Sequence, residues 1–204
     1  MDKADLIDEL GRRVRDPRVL AAIAAVPRDR FVPEALRDIA WQNTSLPIGE
    51  GQTISQPYVV ARMCELLALR GDETVLDVGT GSGYHAAVLA RLAARVVSIE
   101  RHASLSHGAR AALDEAGARN VTLVVGDGSR GYPEAAPYDA INVAARAPRG
   151  VPQQLALQLA DGGRMVVPGG GAERLLLIRR RGLRLEQERH ERVRFVPLVT
   201  EGAG

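Results

Sequence analysis

Apolar positions along this chain change their period once, and the change divides the sequence. Leu6, Leu10 and Val14, then Val19, Leu20, Ile23 and Val26, fall at helical spacings, so the first 40 residues are expected to be helical. Pro17 and Pro27 punctuate these helices, and Pro33 opens another turn. Val60, Met63, Cys64 and Leu67 then give one apolar face to a helix expected over 57–69. Beyond it, short apolar runs alternate with helical stretches. Strands are predicted near 74–78, 96–99, 121–125, 139–143, 164–168, 174–179 and 192–198. Further helices are predicted near 84–93, 103–116 and 152–159. Gly162-Gly163, after Leu159-Ala160-Asp161, reads as a helix end and a turn into the fifth of these strands. The two late strands, joined by a charged turn, read as an antiparallel addition at one sheet edge. The pattern predicts an α/β fold, a doubly wound Rossmann-like sheet with an N-terminal helical cover.

The stretch Leu46-Pro47-Ile48-Gly49-Glu50-Gly51-Gln52-Thr53-Ile54-Ser55-Gln56-Pro57 fits neither period. Its glycine and proline breaks predict a loop, either a structural crossover or a functional lid. Ser55 stands immediately before a helix, where capping is the plain role. Cys64 lies on the apolar face of that helix and reads as a packed thiol rather than a nucleophile.

Chemistry concentrates in Val75-Leu76-Asp77-Val78-Gly79-Thr80-Gly81-Ser82-Gly83. A buried-strand pattern runs into three alternating glycines and then a helix. Glycine supplies the turn's conformations and lets a ligand approach the backbone, while the helix start offers unpaired N–H groups. A second strand ends in Glu100, 17 residues beyond Gly83, and a third in Gly126-Asp127-Gly128. That order resembles S-adenosylmethionine methyltransferases. A nicotinamide dehydrogenase shares the turn and the later acid, but G-T-G-S-G differs from G-x-G-x-x-G, and Gly-Asp-Gly after the third strand favours the methyl donor. On this reading the amides of Gly79, Gly81 and Gly83 meet the methionyl part, Glu100 accepts from both ribose hydroxyls, and Asp127 accepts from the adenine amino group.

Composition narrows the classes. A chain of 204 residues, 46% apolar, suits one domain with a substantial core. No run approaches the roughly 18 to 20 apolar residues of a membrane span, and Met1 to Arg18 lacks a signal-peptide segment. With one cysteine there is no internal disulfide framework, so a reducing, cytoplasmic setting is expected. The net charge is +2, and Lys3 is the only lysine. Arg179-Arg180-Arg181, with Arg184 nearby, reads as a solvated turn rather than a phosphate-binding patch. Aromatic residues, at 3%, are too few for a base-stacking platform. Nucleic acid and membrane partners are not expected. The four histidines show no metal-site spacing, and no histidine–acid pair is visible near the motifs.

Further motifs carry a closer resemblance. They are Val26-Pro27-Arg28, Phe31-Val32-Pro33, Ala40-Trp41-Gln42-Asn43, Leu46-Pro47-Ile48-Gly49, Gly51-Gln52-Thr53-Ile54-Ser55-Gln56-Pro57, Gly79-Thr80-Gly81-Ser82-Gly83-Tyr84, Gly126-Asp127-Gly128 and Arg194-Phe195-Val196-Pro197-Leu198. Together they span nearly the whole chain, and it resembles the protein-L-isoaspartate (D-aspartate) O-methyltransferases in their bacterial form. The resemblance implies methylation of the free carboxylate of L-isoaspartyl and D-aspartyl residues in damaged proteins and peptides, with S-adenosylmethionine as cofactor. Repair then proceeds through a succinimide. It implies Ser55 as the catalytic residue, and Thr53, Ile54, Ser55, Thr80, Glu100, Asp127 and Gly128 as cofactor contacts. No metal is implied, and a monomer is expected. One methyltransferase domain is expected over 1–204, with 1–55 as helical cover and substrate loop, 56–168 as cofactor-binding core and 169–204 as C-terminal edge strands.

One departure stands out. Where the family reads Thr-Ala-Ala or Gly-Ala-Ala after the fourth strand, this chain has Asn142-Val143-Ala144-Ala145-Arg146-Ala147-Pro148. Arg146 is therefore a candidate clamp for a substrate carboxylate or carbonyl, or a solvated side chain. The alternative function is an aspartyl O-methyltransferase acting on a dedicated peptide precursor. The chain's short run after Leu198 favours repair.

Overall fold

The computed structural model describes residues 1–147, 150–170 and 173–199. Its N-terminal part is helical because caps and apolar spacing agree. Helix α1 (Lys3–Gly11) starts on a reciprocal cap: Asp5 N–H donates to Asp2 (2.9 Å) and Asp2 N–H donates to Asp5 (3.1 Å). Helix α2 (Pro17–Ala25) starts on Asp16 with proline in the first turn. Leu6, Leu10, Val19 and Ile23 of these helices are buried. After Pro27 and Pro33 the chain makes only 3-10 turns, at Arg28–Phe31 and Glu34–Ile39.

The stretch expected to be a loop contains a small hairpin. Strands β1 (Leu46–Gly49) and β2 (Gln52–Ile54) pair antiparallel and turn through Glu50 and Gly51, both at positive φ. Helix α3 (Pro57–Leu67) follows, and its N-cap is Gln56 without a side-chain bond. Ser55 is thus not the cap, which leaves its hydroxyl for other work. No helix among the described residues is long and apolar enough to cross a membrane.

Next come β3 (Thr74–Val78), α4 (Tyr84–Ala90), β4 (Arg95–Glu100), α5 (Ala103–Glu115), β5 (Val121–Val125) and β6 (Tyr138–Val143). Helix α6 (Gln153–Ala156), β7 (Leu159–Gly169), β8 (Arg174–Arg181) and β9 (Arg184–Arg192) complete the order. The sheet runs β5-β4-β3-β6-β7-β8-β9. It is parallel through β7 and antiparallel across the last two pairs. Val75, Val96, Ala140 and Val166 face one core, shared with buried residues of α1 to α4. Leu76, Val97, Ile141 and Met165 face the other, shared with Leu155 of α6. Burial on both faces explains why these strands are near-continuous apolar runs. Strand order reverses between β3 and β6, so a crevice opens beyond Val78 and Val143, where ligands of open α/β sheets settle.

Three further expectations shift. The helix expected over 152–159 shrinks to α6, because Leu159 already pairs with Tyr138 of β6 and starts β7 early. Gly162-Gly163 is not a turn into the strand but a bulge inside it. Gly162 has φ +76°, and a Cβ on Gly163 would lie 2.8 Å from the Ala160 carbonyl oxygen. The strand expected over 192–198 lies instead at Arg184–Arg192. Residues 193–199 continue as an irregular segment with one parallel bridge, Arg146 opposite Pro197.

Candidate active site

Beyond β3 the chain turns onto α4 through three glycines at φ +94°, +52° and +89° for Gly79, Gly81 and Gly83. Side chains are strained there, yet each glycine does separate work. A Cβ on Gly79 would lie 3.6 Å from that of Ala144, so the crevice floor is bare backbone. On Gly83 a Cβ would come within 3.1 Å of Ala109 Cβ and 3.3 Å of Leu113 Cγ, which packs α5 closely against the turn. Gly79 and Gly81 line the hollow outside the sheet, and Gly83 is not in its lining. The three amides are engaged within the protein. Gly79 donates to the Ile99 carbonyl (2.9 Å), Gly81 to Glu100 (2.9 Å) and Gly83 to the Thr80 carbonyl (2.8 Å). The glycines therefore contribute space rather than donors.

Glu100 ends β4 and is 6% exposed. Its Oε1 accepts from His102 N–H (3.0 Å) and its Oε2 from Gly81 N–H (2.9 Å). Each carboxylate oxygen has two lone pairs, so both can still accept from a ligand hydroxyl. Asp127, beyond β5, accepts from Ser129 N–H (2.9 Å) and starts a 3-10 turn. A Cβ on neighbouring Gly128 would sit 2.7 Å from Val78 Cγ1. The residues present fit a nucleoside: a carboxylate for a diol, apolar walls at Val78 and Ile99, and backbone where a side chain would intrude.

This inner hollow, about 120 Å³, also takes in Thr53, Ile54, Ser55, Thr80, Glu100, Asp127 and Gly128. A larger groove of about 1200 Å³ lies beside it. The two share four wall residues, Thr53, Ser55, Ala144 and Val196. Ser55 is half-buried. Beside the inner hollow stands a histidine–acid contact that corrects the sequence reading. His102 Nδ1 is 3.8 Å from Glu50 Oε2, and Ser104 donates to the same carboxylate (2.7 Å), tying the hairpin to α5.

Under the glycine turn runs a buried polar chain that sequence reasoning missed. Thr80 and Ser98 share a hydrogen bond (2.6 Å), and Ser98 donates to Asp77 (2.7 Å). Asn142 Nδ2 donates to Asp77 (2.7 Å) and lies 3.2 Å from His85 Nδ1, which then accepts. The other ring nitrogen faces Cys64 Sγ at 3.5 Å. Its members come from five elements. The available signal was a polar residue set among the apolar residues in each of three strands: Asp77, Ser98 and Asn142. Burial drives the Cys64 thiol well above its usual range, so it is no nucleophile.

Burial also pushes Asp77 up to about 6 and His85 down to about 3. Asp77, raised when folded, contributes stability below its ordinary value near 3.8, and loses it as pH rises through about 6. His85, depressed when folded, contributes stability above 6.5, and loses it as pH falls toward about 3. Between pH 6 and 4 the two nearly cancel. Asp77→Asn removes the compensating half, so its unfolding free energy should drop by about 2–3 kcal/mol more than the parent's between pH 7 and pH 4. Urea titrations at both pH values measure this; parallel losses would exclude an ionisable Asp77 in this role.

Arg146 does not line either hollow. Its side chain pairs with Glu173 (3.3 Å). Its backbone holds the 193–199 segment, donating to Val196 (2.8 Å) and accepting from Leu198 (2.7 Å). Offered as a substrate clamp or a solvated side chain, Arg146 thus sits behind the wall.

A family model described as protein-L-isoaspartate(D-aspartate) O-methyltransferase matches residues 1–203. The chain is 56% identical over 198 residues to a protein-L-isoaspartate O-methyltransferase of Halorhodospira halophila, covering 95% of this chain and 90% of that one. One of Methanoregula boonei is 54% identical over 191 residues, covering 93% and 88%. A solved protein-L-isoaspartate O-methyltransferase superposes with a TM-score of 0.86 at 28% identity, over 98% of this chain and 66% of that longer one. A Plasmodium falciparum structure in complex with S-adenosyl-L-homocysteine shares the fold, with a TM-score of 0.82 at 24% identity over 98% and 99%.

Proposed function

This chain belongs to the protein-L-isoaspartate(D-aspartate) O-methyltransferase family, and from that premise we propose how its two hollows divide the work. The enzyme methylates the free carboxylate of isoaspartyl residues in proteins, with S-adenosylmethionine as methyl donor. In our reading the inner hollow holds the cofactor, Glu100 taking the ribose and Asp127 the adenine edge, with Thr53, Ile54, Ser55, Gly79, Thr80, Gly81 and Gly128 around it. The outer groove receives the damaged segment. When bound, the cofactor supplies an electrophilic methyl group on a sulfonium.

The observation that carries this reading is Ser55, which belongs to both walls and has no hydrogen-bond partner for its hydroxyl among the described residues. An isoaspartyl carboxylate is already ionised at neutral pH and needs no general base. Hydration and misalignment slow it instead. Ser55 donates to one carboxylate oxygen and fixes the attacking one, while Val196 and its neighbours exclude water. Gly83 and Arg146 act by packing and by holding the wall.

Ser55→Ala should lower methyl transfer to an L-isoaspartyl peptide roughly 10- to 100-fold, the worth of one hydrogen bond to a charged group. Cofactor affinity should change much less. Transfer of labelled methyl, with the L-aspartyl twin as control, provides the measurement. An unaffected rate, or equal use of both peptides, would remove the assignment. We further propose a cytoplasmic monomer: Cys64 is a buried free thiol, and the sheet's outer strand β9 is charged along its length, which discourages edge pairing.

A further inference from the structure

The groove beside Ser55 carries an electrical imbalance that its net composition hides. Five charged side chains line it: Arg13, Arg192, Arg194, Glu173 and Glu191. Both carboxylates are ion-paired to cations outside the lining, although one of these, Arg62, is shared with Glu65 (2.6 Å). Glu191 accepts from Arg62 (2.9 Å) and from the Tyr58 hydroxyl (3.2 Å). Glu173 pairs with Arg146 (3.3 Å). None of the three guanidiniums has a carboxylate partner among the described residues. The Arg13 guanidinium carbon lies over the Tyr58 ring, 3.6 Å from its centre, a cation–π contact that uses none of its N–H groups on a carboxylate. Arg192 and Arg194 flank buried Val193 where β9 runs out, and both are exposed.

We propose that this groove selects isoaspartyl segments whose neighbouring side chains are acidic. The inference rests on the carboxyl-methyltransferase reading of the same site. Three uncompensated guanidiniums give the groove a positive field, and planar guanidinium forks suit carboxylates. A segment rich in Lys or Arg meets repulsion there, and the paired Glu173 and Glu191 offer it little in return. These contacts are solvent-exposed, so each is modest and salt-sensitive.

The test uses two peptides alike except for two residues flanking one L-isoaspartate, both Glu or both Lys. At low ionic strength kcat/KM should favour the Glu peptide by about tenfold, carried mainly in KM, and the gap should narrow as salt is added. In the chain carrying Arg192→Glu and Arg194→Glu, with its fold checked by circular dichroism, the preference should reverse. Arg13→Glu, on a separate element, should shift it the same way. Equal use of the two peptides by the parent chain, or a preference for Lys, overturns the inference while leaving isoaspartyl methylation standing. Methylation of neither peptide overturns both.

Discussion

Replacing Glu100 with alanine should weaken S-adenosylmethionine binding by about a hundredfold or more, a loss of about 3 kcal/mol. Two effects add. The ribose loses a charged acceptor, and the N–H groups of Gly81 and His102 lose theirs. The glycine turn would then have to find a new shape before any ligand is held. Glu100→Gln separates these contributions. An amide offers one oxygen, so its NH₂ must face one of the two backbone donors. The glutamine variant should therefore be nearly as impaired as alanine, although its size is unchanged. Calorimetric titration of folded variants decides the matter. Affinity within threefold of the parent in both would mean that the ribose is held elsewhere.

The second large effect is on stability, at Arg28. This side chain is fully buried, with Nε donating to the Ala40 carbonyl (2.8 Å) and Nη2 to the Thr44 carbonyl (3.2 Å). Its guanidinium carbon lies 4.8 Å from the centre of the Tyr84 ring. Arg28→Ala leaves a void and two carbonyls short of a donor, which together cost about 3 kcal/mol. For a chain of this size the melting temperature should fall roughly 6–12 °C. The loop it braces includes Asn43, which accepts from Tyr58 N–H (3.0 Å) and, through its carbonyl, from Gln56 (2.8 Å). Peptide KM should therefore rise with the loss of stability. A melting temperature within 2 °C of the parent's would show that Arg28 is dispensable.

The central strands were legible because burial on both faces writes them as apolar runs, as at Val75-Leu76 and Val96-Val97. Strand β9 was not, because it lies at the edge with most of its residues exposed and shows no alternation to read. The apolar residues just after it, Val193 to Leu198, drew the prediction instead. They are apolar because they pack beside the site. Among the residues lining the inner hollow, Glu100, Asp127, Gly79 and Gly81 were legible because the turn and strand ends that carry them are local in sequence. His85, Asn142 and the charge balance of the groove depend on elements far apart in the chain. Arg146 stayed open between clamp and solvated side chain for a related reason. Its position after β6 is near the crevice, but its direction is set by Glu173 and by the segment it anchors.

The wall shared by the two hollows also has a meaning in time. Thr53, Ser55, Ala144 and Val196 line both hollows, so on the proposed reading donor and acceptor meet directly at the rim these residues form. On the proposed reading Ser55 only orients the acceptor, and the nearby thiol of Cys64 is buried with its pKa pushed up, so no group at that rim carries a methyl between visits. Both hollows must be filled together before anything moves, so turnover passes through a ternary complex. Double-reciprocal rate plots for the two substrates accordingly intersect instead of running parallel, and neither product departs before both partners have arrived.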